Sequence, residues 1–320
     1  MGTKTLTSRG IEGRFFARLR QAMEANFVAQ LAWLNSSTDQ ETETYKWLGQ
    51  TPAMREWIGK RQAKGFNDFE YTIKNKKYEA TLEIDLADIE RDKTGQIMLR
   101  VNEMARRAAV HPWKLIADLI FAGSSTICYD GQFFFDTDHE EGESGVQSND
   151  LQVDISAAPT SQHGTITNPS TEEMTHVILK AISKMISFRD DQGEPMNEDA
   201  REFLVVGPTS LNPQMLASVT KPSLSGGETN ALVASGYKVD VLATPRLSPV
   251  TAPWTDEIAV FRTDADMKPF ILQEEKPLSL KSKGAGSELE FDEDKWQFGI
   301  DVRRNAGFGL WQYGVLATMI

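Results

Sequence analysis

Between Phe69 and Leu86 the chain keeps a period of two. Phe69, Tyr71 and Ile73 fall on one side and Asn75-Lys76 offers a turn. Tyr78, Ala80, Leu82, Ile84 and Leu86 then alternate with Glu79, Thr81, Glu83 and Asp85. Successive side chains of a strand point to opposite faces, so this pattern predicts strands with one apolar face, joined as a long antiparallel hairpin. Upstream the period changes. Ile11, Phe15, Leu19, Met23, Phe27 and Leu31 recur at every fourth position within 10–34. On a helix of roughly 3.6 residues per turn that stripe drifts by about 40° per step. It predicts a segment wrapped over a surface, or two short helices with a bend. A helix packed on its own domain would carry the same stripe.

Residues 94–122 predict a longer helix. Ile97, Val101, Met104, Ala105 and Ala108 form one face, and Leu115, Ile116, Leu119 and Ile120 continue it. Asp92 or Thr94 can cap it, Gly123 can end it, and Pro112 predicts a kink or break after His111. The stretch 140–170 is rich in Gly, Ser, Asn, Thr and Pro and reads as a long surface excursion. A helix capped by Thr171 follows, with Met174, Val177, Ile178, Ala181, Ile182, Met185 and Ile186 on a broad apolar face. Short strands and helices then alternate through FLVVGP, NPQMLASV, YKVDVLATP and EIAVF, which predicts a compact α/β layer. Residues 270–283 suggest a strand pair. Phe298, Ile300 and Val302 alternate with polar or small neighbours in a terminal strand.

Charge changes this picture in one place. From Tyr45 to Tyr78 there are eight Lys or Arg against three acids, whereas Glu79–Asp92 holds six acids and one Arg. A basic arm that runs into an acidic strand is poorly matched within one chain and well matched across two copies. The predicted intersubunit contacts are therefore Trp47, Trp57, Lys60, Arg61 and Lys64 on the arm, facing Glu83, Asp85, Asp88 and Glu90. Tryptophan is favoured at buried interface anchors. Across the 320 residues, 34 basic and 46 acidic side chains give a net charge of −12, against a general nucleic-acid binder. That balance is compatible with a container whose wall faces DNA without gripping it. One cysteine, Cys128, leaves no intramolecular disulfide and suits a reducing cytosol. No apolar run reaches the ~18 residues of a membrane span, and the N-terminus has no secretory signal pattern.

Candidate chemistry is thin. Asp136, Asp138 and His139 in FFFDTDH offer carboxylate and imidazole ligands and would suit a metal-dependent hydrolase. A closed site needs more ligands, and His111, His163 and His176 show no metal-motif spacing. The expectation is therefore no metal, no cofactor and no catalytic residue. His111 lacks a neighbouring nucleophile, and GSS at 123–125 and GPTS at 207–210 lack the phosphate-loop and GxSxG patterns.

The fragments WLGQTPAMREWIGKR (Trp47–Arg61), AAVHPWKLIADLIFAG (Ala108–Gly123) and CYDGQFFFDTDH (Cys128–His139) occur in order. Together they resemble the gpT-type major head subunits of Mu-like phages and prophages. The resemblance runs over nearly the whole chain, is densest over 45–139, and thins after about 220. It implies an α+β fold of the Hong-Kong-97 capsid type. An N-terminal arm would take 1–44 and an extended loop 45–78. A peripheral domain would take 79–165, with spine helix 94–122. An axial α/β domain would take 166–290, and a return strand to the peripheral domain 291–320. The implied function is a virion shell protein, assembled in the host cytoplasm from pentamers and hexamers of itself around double-stranded DNA. A separate scaffold protein is expected, since no long helical segment precedes the arm, along with a portal and a maturation protease. An encapsulin-like compartment would share the architecture. No motif carries over the covalent ring-linking known in one branch of the fold.

Overall fold

The alternating run after Asn75 forms the edge of a four-stranded sheet. In a computed structural model that describes residues 7–23, 27–36, 40–45, 71–92, 95–225, 227–248 and 253–320, helix α1 (Ser8–Met23) and a short α2 (Val28–Leu31) come first. Strands β1 (Ala32–Asn35), β2 (Thr42–Tyr45), β3 (Tyr71–Lys74) and β4 (Lys76–Asp85) follow, then α3 (Leu86–Arg91) and α4 (Gln96–Phe121). The middle of the chain carries β5 (Asp150–Val153), α5 (Thr171–Ile186), β6 (Glu202–Gly207), α6 (Asn212–Thr220), α7 (Ala231–Ala234) and β7 (Lys238–Ala243). The last part is β8 (Glu257–Arg262), β9 (Phe270–Lys283), α8 (Glu288–Glu293), β10 (Lys295–Phe308) and β11 (Gly314–Met319).

The first sheet runs β1-β9-β10-β4, with β1 parallel to β9 and the other pairs antiparallel. Its apolar positions Ile84, Trp296, Phe298 and Ile300 pack against Ile97, Val101, Ala105 and Ala108 of α4 and Ile11, Phe15 and Leu19 of α1. The helix-period face and the strand-period face thus close one core. The second sheet runs β5-β11-β8-β6-β7. Phe203–Val206 are all buried, as their unbroken apolar run requires of a strand covered on both faces. Met174, Val177, Ile178, Ala181, Ile182 and Met185 of α5 share its core, which also takes in Phe270 and Phe308, the ends of β9 and β10 next to this sheet.

Several expectations change. β3 and β4 are not paired as a hairpin. β3 pairs with β2 and β4 with β10, so the pleat runs on past Asn75 and changes partner. The N-terminal stripe takes the second of its alternatives, two helices, α1 and α2, and its buried residues pack inside the subunit; Met23 is exposed. Residues 139–153 are no surface excursion: His139, Glu141, Ser144, Gln147 and Asn149 are buried, and β5 pairs with β11. Polar composition suggested a loop, but here the polar groups satisfy one another. Residues 270–283 form one strand, β9, in the first sheet, and the chain after β10 passes into the second sheet as β11. The cap of α5 is Ser170, in a capping box with Glu173, not Thr171.

Helix α4 passes through Pro112 without a break. Proline supplies no donor to the carbonyl four residues back. The Arg304 guanidinium fills the gap, with Nη2 donating to the Ala108 carbonyl at 3.2 Å and Nε to His111 Nδ1 at 3.1 Å. The N-cap of α4 is Gly95, not Asp92 or Thr94; the Asp92 carboxylate, three residues upstream, accepts from the amides of Gly95, Gln96 and Ile97.

Candidate functional site

The basic arm and its two tryptophans, Trp47, Trp57, Lys60, Arg61 and Lys64, lie outside the described residues. What the structure describes is the base from which that segment leaves, the β2–β3 ribbon, with Tyr45 opposite Tyr71. Tyr45 is buried and donates its hydroxyl to Gln273 Oε1 at 2.8 Å; burial pushes its pKa up to about 12. The Tyr71 hydroxyl accepts from the Phe308 amide at 3.0 Å. At Gly307 a methyl group would overlap the Ile73 side chain and press on Tyr71, so the close seat of the ribbon on β10 requires glycine there.

The acidic partners are placed separately. Glu83 on β4 is engaged within the chain, 2.9 Å from Lys295 Nζ and accepting from Gln297 Nε2 at 2.8 Å. Those hydrogen bonds hold its carboxyl below the usual range. Asp85, Asp88 and Glu90 are exposed at the β4–α3 junction. Between β4 and α4 lies an open groove of about 620 Å³, with Tyr78, Leu82, Met104 and Val302 among its lining and Leu99 66% exposed at its rim. Arg106 and Arg107 both bond Glu103 beside it, and hold that carboxyl at about 2.

The FFFDTDH segment does not gather its acids around its histidine. Asp136 accepts from the amides of Phe133 and Thr137 through its own turn, and pairs with Asp138, whose pKa it raises. His139 turns inward instead, to Asp130, with Nδ1 2.6 Å from Oδ2. Asp130 Oδ1 accepts from the Cys128 thiol at 2.9 Å. Burial, then the adjoining carboxylate, pushes that thiol far up, so it is no nucleophilic thiolate. Alongside, buried Glu141 accepts from the Tyr129 hydroxyl at 2.5 Å, Gln312 Nε2 at 3.1 Å and Trp311 Nε1 at 3.3 Å. Burial raises its pKa. The sequence offered Cys128, Asp130 and His139 within one motif, but only the turn at Gly131 brings them together.

The described residues thus form two packed cores and a buried polar junction. The family model of the Mu-like prophage major head subunit gpT matches residues 7–159 and 252–318. The Mu-like prophage FluMu major head subunit of Haemophilus influenzae is 40% identical over 112 residues, 35% of this chain and 36% of that protein. The major capsid protein of Escherichia phage Mu is 43% identical over 106 residues, 33% of this chain and 34% of that protein. The aligned segments thus span about a third of either relative. Among solved structures, a chain of the bacteriophage JBD30 procapsid superposes with a TM-score of 0.53 at 24% identity, covering 97% of this chain and 74% of that one. The bacteriophage PhiM1 mature capsid gives 0.53 at 13% identity, covering 91% and 86%. At these identities the likeness is one of fold, and the mixed α+β architecture is that of phage capsid chains of the Hong-Kong-97 type. The family match takes in α1, the β4–α4 unit, the polar junction and β8 to β11, and so the chain belongs to the Mu-like prophage major head subunit gpT family.

Proposed function

We propose that this protein is a major head subunit of a Mu-like phage or prophage, self-associating into an icosahedral shell around double-stranded DNA. The observation that carries this reading is the family match over well over half of the chain, with the capsid-type fold as support. The four-stranded sheet with α4 as spine serves as the peripheral layer, and the five-stranded sheet with α5 and α6 as the axial layer. The segment leaving the β2–β3 ribbon is the extended loop. Each contact in such a shell can be weak, because closure uses every contact many times.

Trp47, Trp57, Lys60, Arg61 and Lys64 are the proposed donors of the intersubunit contact. Asp85, Asp88 and Glu90 are its acidic side, Glu83 being held by Lys295 and Gln297. The exposed Leu99 and the groove beside it are a further surface for burial by a neighbouring subunit. A net charge of −12 fits DNA enclosed by non-specific contact rather than gripped. A separate scaffold protein, a portal and a maturation protease complete the proposed partners. Electron microscopy of the purified full chain, produced with and without its scaffold, tests the reading. Closed shells are expected in at least one preparation; monodisperse monomer in both, at high concentration, would sink it.

A further inference from the structure

The junction between the two sheets contains an ordered set of potential metal ligands. Cys128 is buried, and the side chains of Asp130 and His139 are 3% and 0% exposed. The Cys128 sulfur, an Asp130 oxygen and a His139 ring nitrogen all lie within 4.8 Å of one another. The histidine ring is fixed on all sides. It stacks on Trp311 at 4.0 Å and 7°, and its Nε2 lies 3.2 Å from Asn149 Oδ1. The Asn149 amide cannot be turned over. Its Nδ2 donates to the carbonyls of Phe134 at 2.7 Å and Gly314 at 3.1 Å, while Oδ1 accepts from the Asp136 amide at 2.9 Å. Nε2 is therefore the donor to Asn149.

That assignment leaves Nδ1 facing a carboxylate oxygen at 2.6 Å. Two lone pairs cannot face each other at that distance, so either a proton or a metal ion lies between the two atoms. We propose that Cys128, Asp130 and His139 bind a divalent cation of the zinc class. The charge balance permits it. Without metal, one proton between His139 and Asp130 and one on the Cys128 thiol leave the cluster neutral. With the cation, a thiolate, a neutral imidazole, a carboxylate and two positive charges again sum to zero, and two protons leave for solvent. The exchange brings no net charge into the interior, the step that otherwise makes buried ions costly. A bound cation deprotonates a coordinating thiol outright.

The ligand chemistry selects the ion. Sulfur, nitrogen and oxygen together suit zinc and its neighbours, whereas calcium and magnesium require oxygen shells. Asn149 holding the far nitrogen of His139 is the outer support that metal-bound imidazoles have. Tetrahedral bonds of about 2.0–2.3 Å would spread the ligand atoms to roughly 3.3–3.6 Å. The His139–Asp130 and Cys128–Asp130 contacts, now 2.6 and 2.9 Å, have to open by roughly 0.7 Å to reach that spacing. A water or the second Asp130 oxygen completes the shell. Such an ion would tie the Cys128–Gly131 turn to His139, the residue whose ring stacks on Trp311 between β10 and β11. The site stands or falls independently of shell assembly.

Because the ligands are buried, the metal is supplied during synthesis. The untagged full chain is grown with added zinc, and separately with cobalt. It is then assayed for metal per folded chain and for the near-ultraviolet charge-transfer absorption of a cobalt–thiolate bond. One equivalent per chain is expected, with the thiolate band present in the wild type and in Asp136→Ala and Asp138→Ala, and absent in Cys128→Ala. A folded wild-type chain without stoichiometric metal, or cobalt bound without the thiolate band, would show a purely proton-bridged cluster and overturn the site.

Discussion

Arg304 shows how one side chain can support a helix that its own sequence weakens. Pro112 leaves the Ala108 carbonyl without a helical donor, and Arg304 serves both that carbonyl and His111 Nδ1. The guanidinium is 5% exposed, and Glu274 lies a loose 3.6 Å from it. Burial disfavours the charged form of both partners, so the hydrogen bonds to α4, more than the ion pair, hold Arg304 in place. His111 is kept neutral: burial first, then the Arg304 charge, lowers its pKa to about 4. The unfolded imidazole titrates near 6.5, so the contribution is complete above about pH 6.5 and is lost as pH falls toward 4. His111→Gln keeps an acceptor for Arg304 and removes this titration. Urea unfolding from pH 7 to 4 should show the wild type losing about 1–2 kcal/mol more than the variant, the half-exposed ring discounting the full shift. Parallel pH profiles would remove His111 from this role.

At the scale of the element, α1 presents two faces whose consequences differ. Ile11, Phe15 and Leu19 are buried against α4, while Phe16 and Met23 are exposed. Losing 1–34 would therefore uncover the first core and remove β1 from its place beside β9, so the truncated chain is expected to aggregate rather than remain a soluble, assembly-deficient subunit. A milder pair of substitutions separates the faces. Phe15→Ala should cost about 3–5 kcal/mol of subunit stability by leaving a cavity, and Phe16→Ser less than about 0.5 kcal/mol. Denaturant midpoints of the unassembled subunit measure both. Equal effects would mean that α1 does not dock on α4 as described.

For the whole molecule, the sorted charges matter through repetition. One exposed ion pair contributes about 0–1 kcal/mol and is screened by salt, but a closed shell multiplies it. Reversing Lys60, Arg61 and Lys64 to Glu should block shell formation and leave the subunit melting temperature nearly unchanged. Reversing Asp85, Asp88 and Glu90 to Lys in the same chain should partly restore shells, scored by microscopy and sedimentation. Normal assembly of the triple Glu variant at low salt, where the attraction is strongest, would reduce the arm to a solvated face.

The sequence by itself determined the elements whose signal is local. The period of two wrote β4, the apolar faces wrote α4 and α5, and the strands and helices of 203–261 lie where their patterns put them. The ordered motifs also carried the family, because three separated fragments in register are hard to match by chance. Pairing was different. Whether β4 meets β3 or β10, whether 270–283 is one strand or two, and which acid meets His139 depend on chain segments far apart in sequence, and a period gives a face but no partner. The polar stretch after His139 shows the reason most plainly. Its residues resemble loop residues by composition, and they are buried because distant groups satisfy them: Tyr129, Trp311 and Gln312 donate to Glu141, the Arg189 backbone pairs with Gln147, and Asn149 donates to the Phe134 and Gly314 carbonyls.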